Sequence, residues 1–183
     1  MVKEGLEIVR EISKRYDGRH RGKGEVSMAS NATVDGTGSP FGEDECGKFY
    51  ARAMSSWSVL LALQGFIYDG PRGIIGFKPG WKPEAHRSFF SAASGWGLFT
   101  RQRNEQGRQT DRIALRYGTL TVRELIFDWS GDALPASVTV ETGDRPLEST
   151  WTLAERELRI TLDASITLKA GETLTVLSGN ALF

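Results

Sequence analysis

The residues with the most suggestive chemistry form one acidic cluster that is followed by an arginine. Glu43, Asp44 and Glu45 are consecutive, and Arg52 follows on the same predicted helix, residues 44–64. Carboxylates accept hydrogen bonds and a guanidinium donates them in a planar geometry, so together they can hold the hydroxyls of a sugar. Glu45 and Arg52 share one helical face. Glu43 has to reach the same ligand from the preceding loop, because nine helical residues would place it about 180° from Arg52.

The acidic cluster also has a purely structural interpretation. Acids at the start of a helix complement its dipole, and Asp44 with Lys48 forms an ordinary i, i+4 pair. Both interpretations stay open on the sequence alone.

Aromatic side chains beside glycines are a second sign of a sugar-binding surface. Trp81 follows a Pro-Gly pair, and Trp96 lies between two glycines. A flat ring next to backbone that a ligand can approach closely is a platform for stacking. Trp57, Trp129 and Trp151 are instead expected in the core, where most tryptophans of a chain of this size lie.

The sequence lacks the features that are typical of several functional classes. The 23 Lys and Arg residues balance the 23 Asp and Glu residues, which argues against a nucleic-acid partner. The single cysteine and the two histidines, which are expected in exposed loops, are too few for a Cys/His zinc site, and no motif predicts a metal or cofactor. The longest aliphatic run is far shorter than the roughly 20 residues of a membrane span. With no secretion signal apparent, we expect a cytoplasmic protein.

The elements that must position these residues change character along the chain. Residues 2–16 carry an apolar stripe with helical spacing, residues 17–40 form a glycine-rich loop, and residues 44–64 predict a second helix. After Pro71 the hydrophobic period becomes two, as is typical of strands. The predicted strands are 74–78, 98–103, 108–117, 120–128, 136–141, 150–153, 158–162, 166–168 and 173–177.

This order of elements predicts an α+β fold that is mainly β. Residues 1–66 form a helical segment with an N-terminal pair of helices. Residues 67–183 form an antiparallel β-sandwich of the jelly-roll kind, since eight or nine short strands with frequent turn signals are typical of such folds.

Residues 16–18, 40–57 and 65–71 resemble the end of glycoside hydrolase family 116. This family contains the β-glucosidases related to the bile acid, or non-lysosomal, glucosylceramidase. Residues 76–79 and 95–97 resemble the β segment that follows the last barrel helices in longer bacterial members. The match to the family departs at Gly42, where the family has an asparagine, and at Phe49, where it has a histidine.

The resemblance implies a retaining β-glycosidase built on an (α/α)6 barrel, with two catalytic carboxyl groups about 5 Å apart. Both family catalytic residues lie upstream of the matched region and have no counterpart here. Glu43 and Arg52 match the family residues that hold the glucose hydroxyls beside the scissile bond.

Three functions follow as alternatives. The first is a carbohydrate-associated domain that binds glucosides through Glu43, Arg52, Trp81 and Trp96 without the usual catalytic pair. The second is a small active β-glycosidase that uses a new carboxylate pair drawn from Glu43, Asp44, Glu45 and Asp111. The third is a structural or oligomerisation module without a ligand.

The chain is also expected to form a twofold homodimer. The end of the helix at 44–64 has little polar face, and the resemblance supplies only the last two of twelve barrel helices to cover it. Light scattering at micromolar concentrations should therefore give twice the mass of 20.2 kDa. A monodisperse monomer across that range would contradict this expectation.

Overall fold

The computed structural model of the protein describes residues 2–14, 57–131 and 133–179. The chain divides into two compact units, Met1–Leu63 and Gln64–Phe183. Within the described ranges, no helix is long and apolar enough to cross a membrane.

Two helices are described, and both fall where the sequence predicts helix. Helix α1 is Val2–Lys14 and helix α2 is Trp57–Gln64. Gly65 follows α2 with a positive φ of 56°, the left-handed conformation common after a helix end. The predicted loop at 17–40 and the first part of the predicted second helix, 44–56, lie outside the described residues.

The second unit consists of strands. In chain order they are β1 (Phe66–Asp69), β2 (Ile74–Phe77), β3 (Ala85–Ala92), β4 (Gly95–Arg103), β5 (Gln109–Asp128), β6 (Ser137–Thr142), β7 (Arg145–Leu147), β8 (Ser149–Ala154), β9 (Glu157–Lys169) and β10 (Thr173–Gly179). The predicted class, α+β and mainly β, is confirmed.

Strand β5 belongs to two sheets. Its first half pairs with β4 and β10, and the order of this first sheet is β3-β4-β5-β10-β6-β7. Its second half pairs with β2 and β9, and the order of the second sheet is β1-β2-β5-β9-β8. All these pairings are antiparallel except β2 with β5, which is parallel.

The strands differ from the predicted ones in two ways. The predicted strands 108–117 and 120–128 are one strand, β5, and 158–162 and 166–168 are both part of β9. The sequence also predicts no strand at β1, β3 or β7. Strand β3 is not predicted because two of its buried positions hold polar residues, His86 and Ser88. Buried and exposed residues alternate along this strand, but apolar and polar residue types do not.

The inward faces of the two sheets build one core. Phe77 of β2 stacks on Phe99 of β4 with ring centroids 3.9 Å apart. Trp129 is buried and Trp151 is half-buried against this core, as predicted. The same prediction is wrong for Trp57, which is 64% exposed.

Gly118 lies where β5 passes from one sheet to the other. It pairs with Gly95 at the end of the β4 ladder, and Thr119 begins the ladder with β9. Its φ is 75°, and a Cβ atom there would lie 2.0 Å from the Ser94 carbonyl oxygen. Only glycine fits this corner without moving the backbone of the β3–β4 turn.

Gly118→Ala should therefore lower the free energy of unfolding by about 3 kcal/mol or more, since left-handed strain and a backbone clash add. Gly143→Ala is the matched control, because Gly143 also has positive φ, 58°, but nothing lies within 4 Å of its Cβ position. The control should cost about 1 kcal/mol. Urea unfolding measures both, and equal losses in the two variants would contradict the clash at Gly118.

Candidate functional site

The acidic cluster and Arg52 lie outside the described residues. The predicted roles of Glu43, Asp44, Glu45 and Arg52 in binding or catalysis stay predictions. The candidate residues that the structure describes are Trp81, Trp96 and Asp111.

Trp81 and Trp96 lie at opposite ends of the β3–β4 hairpin. Trp81 is in the loop before β3, where its carbonyl oxygen accepts a hydrogen bond from Nδ1 of His86 at 2.8 Å. Trp96 is in β4 and pairs with Ser91 near the other end of the hairpin. The hairpin spans about seven residue steps between these ends, or about 23 Å, so the two indoles cannot stack on one sugar ring.

His86 differs from the sequence expectation of an exposed loop histidine. It lies within β3, is 6% exposed, and packs near the ring of Phe99. The alternation of β3 turns it toward the core.

Trp96 belongs to a group of three exposed aromatic side chains. Its ring centroid is 5.8 Å from that of Phe89 on β3 and 6.5 Å from that of Tyr117 on β5. The Trp96 and Tyr117 rings are nearly parallel, with 18° between their planes. Phe89, Trp96 and Tyr117 are 41%, 43% and 66% exposed, and we call these three residues the aromatic platform.

The pleat of the first sheet explains why the platform faces outward. Phe89 and Trp96 occupy outward positions, while Phe90 and Phe99 occupy the inward positions and are buried. Gly97 makes room beneath the platform, because a Cβ atom there would lie 2.2 Å from the Ala114 carbonyl oxygen and 3.0 Å from the ring of Phe90. The register between β4 and β5 shifts next to Gly97.

An exposed group of flat rings is suited to bind ligands that have a flat apolar face. Contiguous apolar side chains on a protein surface mark binding sites more often than isolated ones do. Flat rings offer large contact area at low conformational cost, and they pack against the C–H faces of sugar rings as they do against other flat apolar groups.

Asp111, the remaining catalytic candidate, lies inside the domain beside a buried arginine. Nε of Arg101 donates to Oδ1 of Asp111 at 2.6 Å, and neither side chain is exposed to solvent. Arg101 also donates to Asp128 through Nη1 and to the Phe77 carbonyl oxygen through Nη2, at 3.3 Å in the second case. Gln109 donates to Oδ2 of Asp111 at 2.6 Å. We call these residues, with Arg103, the Arg101 network.

Opposing effects act on the charges of this network. Burial raises the pKa of Asp111, although Arg101 and Gln109 stabilise its charged form. Burial also works to raise the pKa of Asp128, but the guanidinium groups of Arg101 and Arg103 outweigh it, so the pKa of Asp128 is lowered. Arg103 Nη2 lies 2.8 Å from Asp128 Oδ2.

The position of Asp111 favours a structural role. A catalytic carboxyl group has to reach the substrate or a water molecule, and the Asp111 side chain has no exposed surface. Its two oxygens are occupied by Arg101 and Gln109. Among the described residues, no group of three His, Cys, Asp or Glu side chains is arranged to hold a metal ion.

Sequence reasoning missed one member of the platform, Tyr117, and did not separate Phe89 from its neighbour Phe90. The adjacent pair Phe89 and Phe90 was visible, but only the register of β3 decides which ring faces outward. A prediction of strand at β3 would have placed Phe89 at an outward position. Tyr117 follows the exposed Arg116 at the register shift, so simple alternation does not predict it.

Comparisons with known proteins find similarity in structure alone. No protein-family model and no curated protein matches the chain. Two solved structures are similar to parts of it. One is a GH127 β-arabinofuranosidase, with 9% identity and a TM-score of 0.35 over 56% of this chain. The other is a GH127 β-L-arabinofuranosidase from Geobacillus stearothermophilus, with 8% identity and a TM-score of 0.38 over 68% of it.

The chain spans 17% of the length of each of these two proteins. Both are glycoside hydrolases, of family 127 rather than family 116. At these scores the likeness assigns no activity or ligand to the chain.

The Arg101 network predicts acid-sensitive stability through Asp128. Because its folded pKa lies below the unfolded value of about 3.9, its contribution is present above that value and is lost as the pH falls through the folded pKa. Asp128→Asn should lower the free energy of unfolding by about 2 kcal/mol at pH 7, since charged hydrogen bonds to Arg101 and Arg103 are weakened.

Urea unfolding of wild type and of Asp128→Asn from pH 7 to pH 2.5 measures the difference between their free energies of unfolding. This difference should shrink below pH 4. Asp163→Asn, an exposed change on β9, is the control and should stay within about 0.5 kcal/mol. A gap between wild type and Asp128→Asn that is independent of pH would contradict the role given to Asp128.

Proposed function

We propose that the second unit is a carbohydrate-binding domain and that sugar rings stack on the aromatic platform. The observation that carries the proposal is the arrangement of Phe89, Trp96 and Tyr117 on adjacent strands, each more than one-third exposed. Side chains of this size are normally buried, and an exposed contiguous group of them calls for a ligand.

The form of the platform supports a glycan over a compact small molecule. The three rings lie across three neighbouring strands, β3, β4 and β5, whose spacing is about 4.8 Å. They follow the surface of a sheet. An extended chain of sugars can run over such a surface and contact successive rings. The family resemblance suggests glucosides as the class of sugar.

The proposed domain binds without catalysis. The described catalytic candidate, Asp111, is enclosed in the Arg101 network, and this supports binding over hydrolysis in the part of the chain that the structure describes. Glu43 and Arg52 remain proposed sugar ligands of the first unit.

Trp96→Ala should weaken binding of a glycan about tenfold, because it removes the central ring of the platform. Isothermal titration calorimetry against soluble β-glucan and polygalacturonate fragments measures this. Leu134→Ala is the control, since Leu134 is an apolar residue that is 65% exposed and lies outside strands β3, β4 and β5. Its affinity should stay close to that of wild type.

Three outcomes would count against the proposal. The first is that no glycan binds the wild-type protein. The second is that Trp81→Ala removes binding while Trp96→Ala does not. The third is a dimer by light scattering that Trp96→Ala converts to a monomer without any glycan affinity in either form. That last result would favour the oligomerisation module instead.

A further inference from the structure

We propose that the ligand of the aromatic platform is an anionic glycan, whose carboxylate or sulfate groups are bound by Arg87, Arg112 and Arg116. This inference rests on the proposed carbohydrate-binding function and names the class of carbohydrate. It is carried by the position of these arginines on the same outward side of the first sheet, which we call the outer face.

The register of the strands places the arginines together. Arg87 on β3 pairs with Thr100 on β4, and Thr100 pairs with Arg112 on β5. Arg87 and Arg112 are thus two strands apart in one row, about 10 Å between backbones. All three arginines line one groove of about 440 Å³ on the outer face.

These three arginines have no carboxylate partner among the described residues. Arg101, Arg103 and Arg159 each form ion pairs with carboxylates. Among the residues that the structure describes, no ion pair or side-chain hydrogen bond is formed by Arg87, Arg112 or Arg116. All three are exposed, so their donors are available to a ligand.

Strands β3, β4 and β5 place no acid next to these arginines on the outer face. The outward positions of β3, β4 and the first half of β5 carry no aspartate or glutamate. In the row of Arg112 the next acid is Glu141, which lies beyond Thr175 and is therefore two strands away. The chain as a whole has a formal net charge of zero, so this positive surface is local.

Guanidinium groups select carboxylate and sulfate groups through paired hydrogen bonds of fixed geometry. Thr100, in the row of arginines, is four residues from Trp96 on the same strand, or about 13 Å along it. A chain of several sugars can therefore stack on the platform and reach the arginines with its acidic groups. A free anion or a neutral sugar would use one part of this surface only.

The test compares wild type with the double variant Arg87→Gln and Arg112→Gln by isothermal titration calorimetry. The probes are polygalacturonate fragments for carboxylate, dextran sulfate for sulfate, a neutral soluble β-glucan, and single-stranded DNA. Arg145→Gln is the control, because Arg145 is exposed on β7 and forms no ion pair among the described residues.

The double variant should bind the preferred anionic glycan at least about tenfold more weakly, with its affinity for the neutral β-glucan and its unfolding transition unchanged. The control should bind like wild type. Dependence on polygalacturonate alone supports carboxylate recognition, and dependence on dextran sulfate alone supports sulfate recognition.

Equal affinity for neutral and anionic glycans, unaffected by the double substitution, overturns the inference while the carbohydrate-binding function stands. Tighter binding of DNA than of any glycan, lost in the double variant, overturns it in favour of a nucleic acid. Absence of binding to every glycan defeats the proposed function itself, together with this inference.

Discussion

A buried guanidinium holds the two sheets in place. Arg101 lies on β4 of the first sheet, yet it bonds Asp111 in the first half of β5, Asp128 at the end of β5, and the backbone of Phe77 on β2. A charge removed from water has to be paired, since an unpaired one costs several kcal/mol. The network is therefore complete only when β5 turns at Gly118 and brings its two ends together.

The outer face follows from this arrangement. With the inward side of β4 committed to Phe99 and Arg101, strand alternation places Trp96 and Thr100 on the opposite side. The same alternation sends Arg112 outward between the buried residues Asp111 and Ile113. Core residues and the proposed ligand-binding residues thus alternate along the same strands, and the inner and outer arginines differ in their partners. The inner one is fully paired, and the outer ones are open to a ligand.

The sequence predicts the mainly β class because apolar residues alternate clearly in β5, β9 and β10. It also indicates Trp96 as a candidate surface ring, because its glycine neighbours signal close backbone approach, and the role of Trp96 in binding stays a prediction. It does not predict β3, since the buried positions of that strand include His86 and Ser88. The role of Asp111 was equally hidden, because Arg101 and Asp128 become its neighbours only through the pairing of strands across the core. Periodicity reports which residues are buried, but contacts between distant strands depend on register and on the corner at Gly118.

Whether the outer face binds a glycan is tested most directly by nitrogen–proton correlation NMR titrations of the labelled protein with polygalacturonate fragments, dextran sulfate and soluble β-glucan in turn. The indole signal of Trp96 and the backbone amide signals of Phe89 and Tyr117 should shift progressively. The indole of Trp129, which is buried and donates to the Ala133 carbonyl oxygen at 2.8 Å, should not move. Shifts that leave Trp96, Phe89 and Tyr117 unmoved, or no shifts with any of the three glycans at millimolar concentration, would contradict binding at the outer face.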